Sequence, residues 1–229
     1  MTVTLQVSDD PASACAELIA AAVAERGHLV LAGGSTPRAA YEAAAANDND
    51  WSGATVWFGD ERCVAPDDER SNFRMVKESL LDRLSGTPSV HRIEGELGPD
   101  EAAASYEGAL TAAGPPEFAL VLLGLGPDGH TASLFPRQPT LSVRERLVVG
   151  VREAGLEPFV PRVTMTFPAL AAGRRIVFLV SGESKAAAVS AAFGPDAKPD
   201  PKVPASMLPP FASEVTVLLD PAAATGVPS

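Results

Sequence analysis

At 229 residues the chain has room for one large or two small domains, and 46% hydrophobic against 21% charged residues provide a core and exclude global disorder. Eighteen basic against 29 acidic side chains give a formal charge of -11, which excludes a general nucleic-acid or anionic-membrane surface; an anionic substrate must be met by a few local cations and backbone amides. Two cysteines, Cys15 and Cys63, are too few for a disulfide framework or a zinc site of their own, and with neither a secretory signal at the amino terminus nor an apolar run near the ~20 residues of a membrane span, a soluble, cytoplasmic protein is expected.

Val3 to Val7 alternates as a strand does, and Asp10 before Pro11 predicts an N-cap with proline in the first helical position, opening a helix over Ala12 to Glu25. His28 to Ala32 is a short apolar strand broken by Gly33-Gly34-Ser35-Thr36-Pro37; Pro37 suits a helix start that Arg38 to Ala46 continues, and 47–52 is a polar connection. Ala54 to Phe58 predicts a third strand ending in Gly59-Asp60-Glu61-Arg62. A polar loop, Ala65 to Ser71, leads into a helix over Asn72 to Leu84, with Asn72 read as its cap rather than as a ligand. Val90 to Ile93 is a weak strand, and Asp100 caps a helix reaching about Ala112.

Phe118 to Leu123 is a continuous apolar run of the kind buried on both faces. It breaks into Gly124-Leu125-Gly126-Pro127-Asp128-Gly129-His130-Thr131-Ala132-Ser133, too rich in glycine and proline for a strand. Leu147 to Val151 and Arg162 to Phe167 predict two further strands. Ile176 to Val180 is a buried strand ending in Ser181-Gly182-Glu183-Ser184-Lys185, followed by an alanine-rich helix. The proline-rich segment Gly194 to Pro210 reads as a surface loop, and Val215 to Leu219 as the last strand. Strands alternating with helices predict a single α/β domain over 1–229: a largely parallel, doubly wound, Rossmann-like sheet with helices on both faces.

Four of these loops share one design, an apolar strand, then glycine, then polar side chains, and a parallel sheet gathers such loops along one edge. Asp128-Gly129-His130 carries the sharpest signal. Imidazole titrates near neutrality, with an ordinary pKa of about 6.5, so His130 is a candidate general base and Asp128 a candidate to orient it. Gly33, Gly34, Ser35 and Thr36 before a helix suit a phosphate cradle, or else a tight turn with Ser35 or Thr36 as cap. Asp60 and Arg62 sit at a strand end, as part of a site or of a solvated loop. Arg162 and Lys185 are anion ligands or surface charges. Cys63 is an activated thiol beside Arg62 or, more plainly, structural. A metal site is not expected: His28 and His91 lie in or next to strands, and no His-x-His or Cys-x-x-Cys pairing exists.

Together, Leu31 to Ala43, Phe58 to Met75, Leu122 to Pro136, Pro161 to Leu170 and Ser181 to Val189 resemble the 6-phosphogluconolactonase family, relatives of the glucosamine-6-phosphate deaminases. The pieces run in the family's order over most of the chain; the second and third are the most specific, and Val160 stands where a second proline is expected. The resemblance implies hydrolysis of 6-phospho-D-glucono-1,5-lactone to 6-phosphogluconate, in the oxidative pentose phosphate pathway, with no obligatory metal or organic cofactor; a monomer is expected. It implies His130 as general base and Asp128 as the residue holding the imidazole or the sugar. Gly33, Gly34, Ser35, Thr36, Asp60, Arg62, Arg162 and Lys185 are the implied ligands of the sugar phosphate and its developing oxyanion. The deaminase branch follows its Asp-Gly-His with Ile-Ala-Phe-Asn-Glu-Pro, whose glutamate takes part in ring opening. Here Thr131-Ala132-Ser133-Leu134-Phe135-Pro136 supplies no acid, which favours the lactonase. A non-catalytic phosphosugar-binding domain is a further alternative, though such regulators usually add a helix-turn-helix that no spare segment here could hold.

Overall fold

The computed structural model describes residues 2–47, 49–114 and 117–227. Its main sheet contains β1 (Thr2–Val7), β2 (His28–Leu31), β3 (Thr55–Phe58), β5 (Ser89–Val90), β6 (Leu120–Leu123), β9 (Ile176–Val180) and β10 (Glu214–Leu219). The strand order is β1-β10-β9-β6-β2-β3-β5, every pair parallel. The two strands with the most apolar sequences, β6 and β9, are buried at every position. That is the pattern of a sheet covered on both faces.

The helices are α1 (Pro11–Ala24), α2 (Ser35–Ala46), α3 (Asn72–Ser79), α4 (Pro99–Ala112), α5 (Phe167–Leu170) and α6 (Ala186–Phe193). Strand β3 shows how they divide. Trp57 meets Tyr106 of α4 edge-on at 5.8 Å, and the next residue, Phe58, meets Phe73 of α3 at 5.9 Å. Successive strand residues point to opposite faces, so α3 and α4 cover opposite sides. The expected doubly wound α/β sheet is present. Asp10 caps α1 through Ser13 N at 3.0 Å, with Pro11 in the first turn, as the sequence predicts.

Several local expectations are corrected. A second, antiparallel sheet of order β4-β8-β7 joins β4 (Asp60–Arg62), β8 (Arg162–Met165) and β7 (Val148–Val151). Asp60 to Arg62 is thus a strand and not a loop, and β7 and β8 lie outside the main sheet. Strand β8 stops at Met165 because Phe167 opens α5. Helix α2 begins at Ser35, two residues before the start expected at Pro37. Ser71 caps α3, its hydroxyl accepting from Arg74 N, so Asn72 is the first helical residue and not the cap. That helix ends at Ser79, and Leu81–Arg83 continues as a 3-10 turn. Gly98, at φ 85°, precedes α4, placing Pro99 and Asp100 in its first turn. The weak strand is only Ser89–Val90. The polar connection expected over 47–52 includes Asp48, outside the described residues.

The segment read as a proline-rich surface loop is partly core. Ala205 and Leu208 are fully buried, and Ala205 N donates to Gly129 O at 2.9 Å. It backs the loop that carries His130. Among the described residues no helix is long and apolar enough to cross a membrane.

Candidate active site

Because β2, β3, β6 and β9 are parallel neighbours, the four glycine-bearing loops leave the sheet along one edge. A cavity of about 180 Å³ opens there, lined from all four loops by Gly33, Gly34, Asp60, Arg62, His130 and Lys185, and from the second sheet by Arg162. A second cavity of about 150 Å³ adjoins it at the start of α2, walled by Ser35, Thr36 and Ser181 and sharing Gly33, Gly34 and Lys185 with the first. Every sequence-predicted site residue but Asp128 lines one of the two, and Asp128 touches His130.

His130 Nδ1 lies 2.5 Å from Asp128 Oδ1, and His130 N donates to the same oxygen at 3.2 Å. Burial alone would raise the Asp128 pKa, but the hydrogen bond and charge of His130 outweigh it and hold the carboxyl below its ordinary range. An ionised Asp128 accepts the Nδ1 proton and leaves Nε2 as the basic nitrogen. Gly126 makes the pair possible. A Cβ built there would meet His130 Nδ1 at 2.0 Å and Asp128 Oδ1 at 2.6 Å. The loop is closed by Gly126 N to His130 O at 2.8 Å, and Gly129 turns it at φ 81°.

The two hydroxyls of the motif do not reach the cavity. Thr131 and Ser133 are fully buried. Thr131 Oγ1 donates to Gly124 O at 2.9 Å, and Ser133 Oγ donates to Asp60 Oδ2 at 2.6 Å. Between them Ala132 lines the cavity at φ 48°, a left-handed conformation that both anchored neighbours enforce.

Strand β4 places Asp60, Glu61 and Arg62 on a rigid element. Glu61 is buried and caps α3: its carboxylate accepts from Asn72 N, Phe73 N and Arg62 N, each at 2.7 Å, and from Ser71 Oγ at 3.0 Å. Burial pushes the Glu61 carboxyl up against the pull of these donors. Asp60 also accepts from Asn72 Nδ2, at 3.1 Å. Arg62 gives Nη1 to Arg70 O, while its Nε is buried without a partner among the described residues. Cys63 is no activated thiol, since burial and Glu61 push it up to about 11.

Arg162 pairs in register with Arg62 across β4 and β8. It is buried, not a surface charge, and burial, followed by the neighbouring Arg62, lowers its pKa. Its Nη2 donates to Pro158 O at 2.9 Å and Leu156 O at 3.4 Å, and its Nε to Val160 O at 3.3 Å. Most of the guanidinium therefore clasps the loop before β8, and Leu156 from that loop reaches the cavity. Lys185 is half-buried, with its pKa lowered by burial and partly restored by Asp128. Gly34, at φ 109°, precedes α2, and neither Ser35 nor Thr36 caps the helix by a side-chain bond. The N–H groups of Gly34, Ser35 and Thr36 have no partner among the described residues.

The sequence points to Asn72 as a helix cap rather than a ligand and gives no sign of Gly126 as a site residue. Asn72 Nδ2 ties to Asp60, and the amide fills the space a Cβ on Gly33 would occupy, 1.9 Å from its Oδ1. The position of Asn72 beside Ser71 and two residues before Arg74 signals a helix start, not a contact with the glycine loop. His28 and His91 flank Trp57, with ring centroids 6.0 and 4.1 Å away, and Trp57 Nε1 donates to His28 Nδ1 at 3.1 Å. Neither lines the cavity. Among the described residues no group of three or more histidine, cysteine, aspartate or glutamate side chains could hold a metal ion.

Over residues 4–217 the sequence matches the family described as "Glucosamine-6-phosphate isomerases/6-phosphogluconolactonase". The chain belongs to this family. A 6-phosphogluconolactonase of Synechocystis sp. is 40% identical over 212 residues, covering 88% of this chain and 86% of the relative. The Homo sapiens 6-phosphogluconolactonase is 39% identical over 175 residues, 74% of this chain and 67% of its own. The solved 6-phosphogluconolactonase from Thermotoga maritima superposes with a TM-score of 0.83 at 29% identity over 96% of this chain and 100% of that one. A monomeric glucosamine-6-phosphate deaminase superposes with a TM-score of 0.84 at 24% identity, over 99% and 100%. Within this family of isomerases and lactonases, then, the backbone does not separate the two chemistries.

Proposed function

We propose that the protein, acting as one catalytic domain, hydrolyses 6-phospho-D-glucono-1,5-lactone to 6-phosphogluconate with His130 as general base. The observation that carries this reading is the His130–Asp128 pair facing an anion-binding edge with no acid in the following Thr131 to Pro136. The identity to 6-phosphogluconolactonases over most of the chain supports the substrate.

His130 Nε2 takes a proton from water as its oxygen bonds to the lactone carbonyl carbon, and Asp128 stabilises the imidazolium. The carbonyl electrons move onto oxygen, and the Nε–H of Arg62, partnerless among the described residues, is a cationic donor for it. Collapse of that tetrahedral oxyanion breaks the ring C–O bond, and the imidazolium returns its proton to the leaving ring oxygen. The phosphate sits in the adjoining cavity on the free N–H groups of Gly34, Ser35 and Thr36, at the positive end of α2, with Lys185 bridging both cavities. Asp60, already held by Ser133 and Asn72, accepts from a sugar hydroxyl and not from the phosphate. Arg162 adds positive potential and fixes the Leu156 wall. The protein works in the cytoplasm as a monomer.

The test is a coupled assay with freshly generated lactone, run beside ammonia release from glucosamine 6-phosphate. Lactone turnover alone is expected, falling by about 10²- to 10⁴-fold in His130→Ala with the fold retained. Ammonia release without lactone turnover rejects the branch. An undiminished His130→Ala rejects the base.

A further inference from the structure

Asn72 carries an oxygen that the proposed machinery leaves unexplained. The residue is 2% exposed and lines the cavity. Its backbone N–H is taken by Glu61, and its Nδ2 by the Asp60 carbonyl at 3.0 Å and carboxylate at 3.1 Å. These bonds fix which way the amide points: the nitrogen toward Asp60, the oxygen away from it. Oδ1 is buried and has no partner among the described residues. It lies against Gly33, which also lines the cavity and whose missing side chain makes room for it.

An amide oxygen only accepts. It cannot serve a phosphate dianion or an oxyanion, because neither has a hydrogen to give, and it repels both. Of the arginines of the site, Arg162 is clasped to the Pro158 and Val160 carbonyls, and Arg62 Nη1 to Arg70 O. A buried acceptor costs roughly 1–3 kcal/mol while unpaired, so its natural complement is a neutral donor brought by the ligand. On a phosphorylated polyhydroxy lactone that donor is a hydroxyl.

We infer that Asn72 is a specificity-determining residue whose Oδ1 accepts a hydrogen bond from one ring hydroxyl of the sugar-phosphate lactone. This rests on the proposed function for its substrate. Asp60 holds the amide at one end, Gly33 leaves the gap it occupies, and the hydroxyl completes the set. The bond selects among phosphosugars by hydroxyl position, which phosphate and oxyanion contacts cannot do.

The experiment compares the wild-type chain with Asn72→Ala and Asp60→Ala on the lactone and on analogues lacking, in turn, the hydroxyl at carbon 2, 3 or 4. Asn72→Ala is expected to lower kcat/KM about tenfold on the full lactone, the worth of one hydrogen bond. On one of the three deoxy analogues the substitution is expected to change kcat/KM by less than about twofold, because the partner is already gone. If Asn72 merely holds Asp60 in place, Asn72→Ala and Asp60→Ala lose their effect on the same deoxy analogue, and the inference is overturned; insensitivity on different analogues upholds it. No loss from Asn72→Ala on any of the four substrates overturns it as well. Should Asn72→Ala not fold, the wild-type series read beside Asp60→Ala decides: a deoxy analogue other than the one on which Asp60→Ala loses its effect must fall about tenfold, and the absence of such a fall rejects the assignment. Wild-type protein inactive on the lactone rejects the proposed function itself, and with it the substrate named here.

Discussion

His130, the proposed base, is held in place largely by an absence. A methyl group on Gly126 would occupy the position of the imidazole edge, 2.0 Å from His130 Nδ1 and 2.2 Å from Cε1. The neighbouring bonds that shape the loop, Gly129 N to Gly126 O at 3.0 Å and Thr131 Oγ1 to Gly124 O, do not involve that space. Gly126→Ala is therefore expected to push His130 off Asp128 while leaving the fold intact. Lactonase kcat should fall by about 10²-fold or more, toward the value of His130→Ala, with a thermal midpoint within a few degrees of wild type; near-normal kcat would show that the pair tolerates displacement. His130 and Asp128 were legible in the sequence because they are two residues apart after a buried strand, so local pattern and chemistry coincide. Gly126 and Asn72 were not, because each owes its identity to a contact: Gly126 to a ring folded back over it, Asn72 to a glycine 39 positions earlier that the fold sets beside it. Arg162 was legible as a charge but not as a clasp, since its partners are main-chain carbonyls that any sequence would offer.

At the level of elements, hydrophobic periodicity was enough to place the main-sheet strands, because β6 and β9 are buried along their whole length and their runs are unbroken. The second sheet escaped notice for the opposite reason. Asp60-Glu61-Arg62 has the composition of a solvated loop, and only pairing with β8 and burial of both acids make it a strand. Its charges are then used structurally. Helix α3 has eight residues, too few to persist alone in water, and Glu61 receives the first two N–H groups of that helix together with the hydroxyl of its cap residue Ser71. The strand thus holds the helix start, and the helix start holds Asn72 against Gly33. Glu61→Ala leaves those donors buried and unmet, and urea unfolding is expected to show a loss of about 3 kcal/mol. The same variant should raise KM for the lactone, because Asn72 and Arg62 both depend on that junction. A change below about 0.5 kcal/mol would mean that water replaces the carboxylate and that α3 is held by packing alone.

For the molecule as a whole, the difficulty is charge: a formal -11 must admit an anionic phosphate ester. The positive side chains are distributed accordingly. Many surface arginines are paired with carboxylates, as in Arg74 with Glu78, Arg92 with Glu96, and Arg175 with Glu25. Arg62, Arg162 and Lys185, around the cavity, are in no ion pair among the described residues. Two fields of different range result. The negative net charge acts over the whole approach path, whereas the cavity cations, partly or largely buried, act only at close quarters. Salt separates them, because the Debye length shrinks from about 30 Å at 0.01 M to about 8 Å at 0.15 M while buried interactions are screened much less. Raising ionic strength across that range is therefore expected to raise kcat/KM for the lactone by about twofold, relieving long-range repulsion. Lys185→Gln should lower kcat/KM by about tenfold or more at every salt concentration, because the contact it removes is at close quarters, where salt screens little. A steady fall of wild-type kcat/KM with salt would instead mean that the cavity cations project their field into solvent and steer the substrate. In that case Lys185→Gln should flatten the salt dependence, so the two variants and two salts together decide which field governs entry.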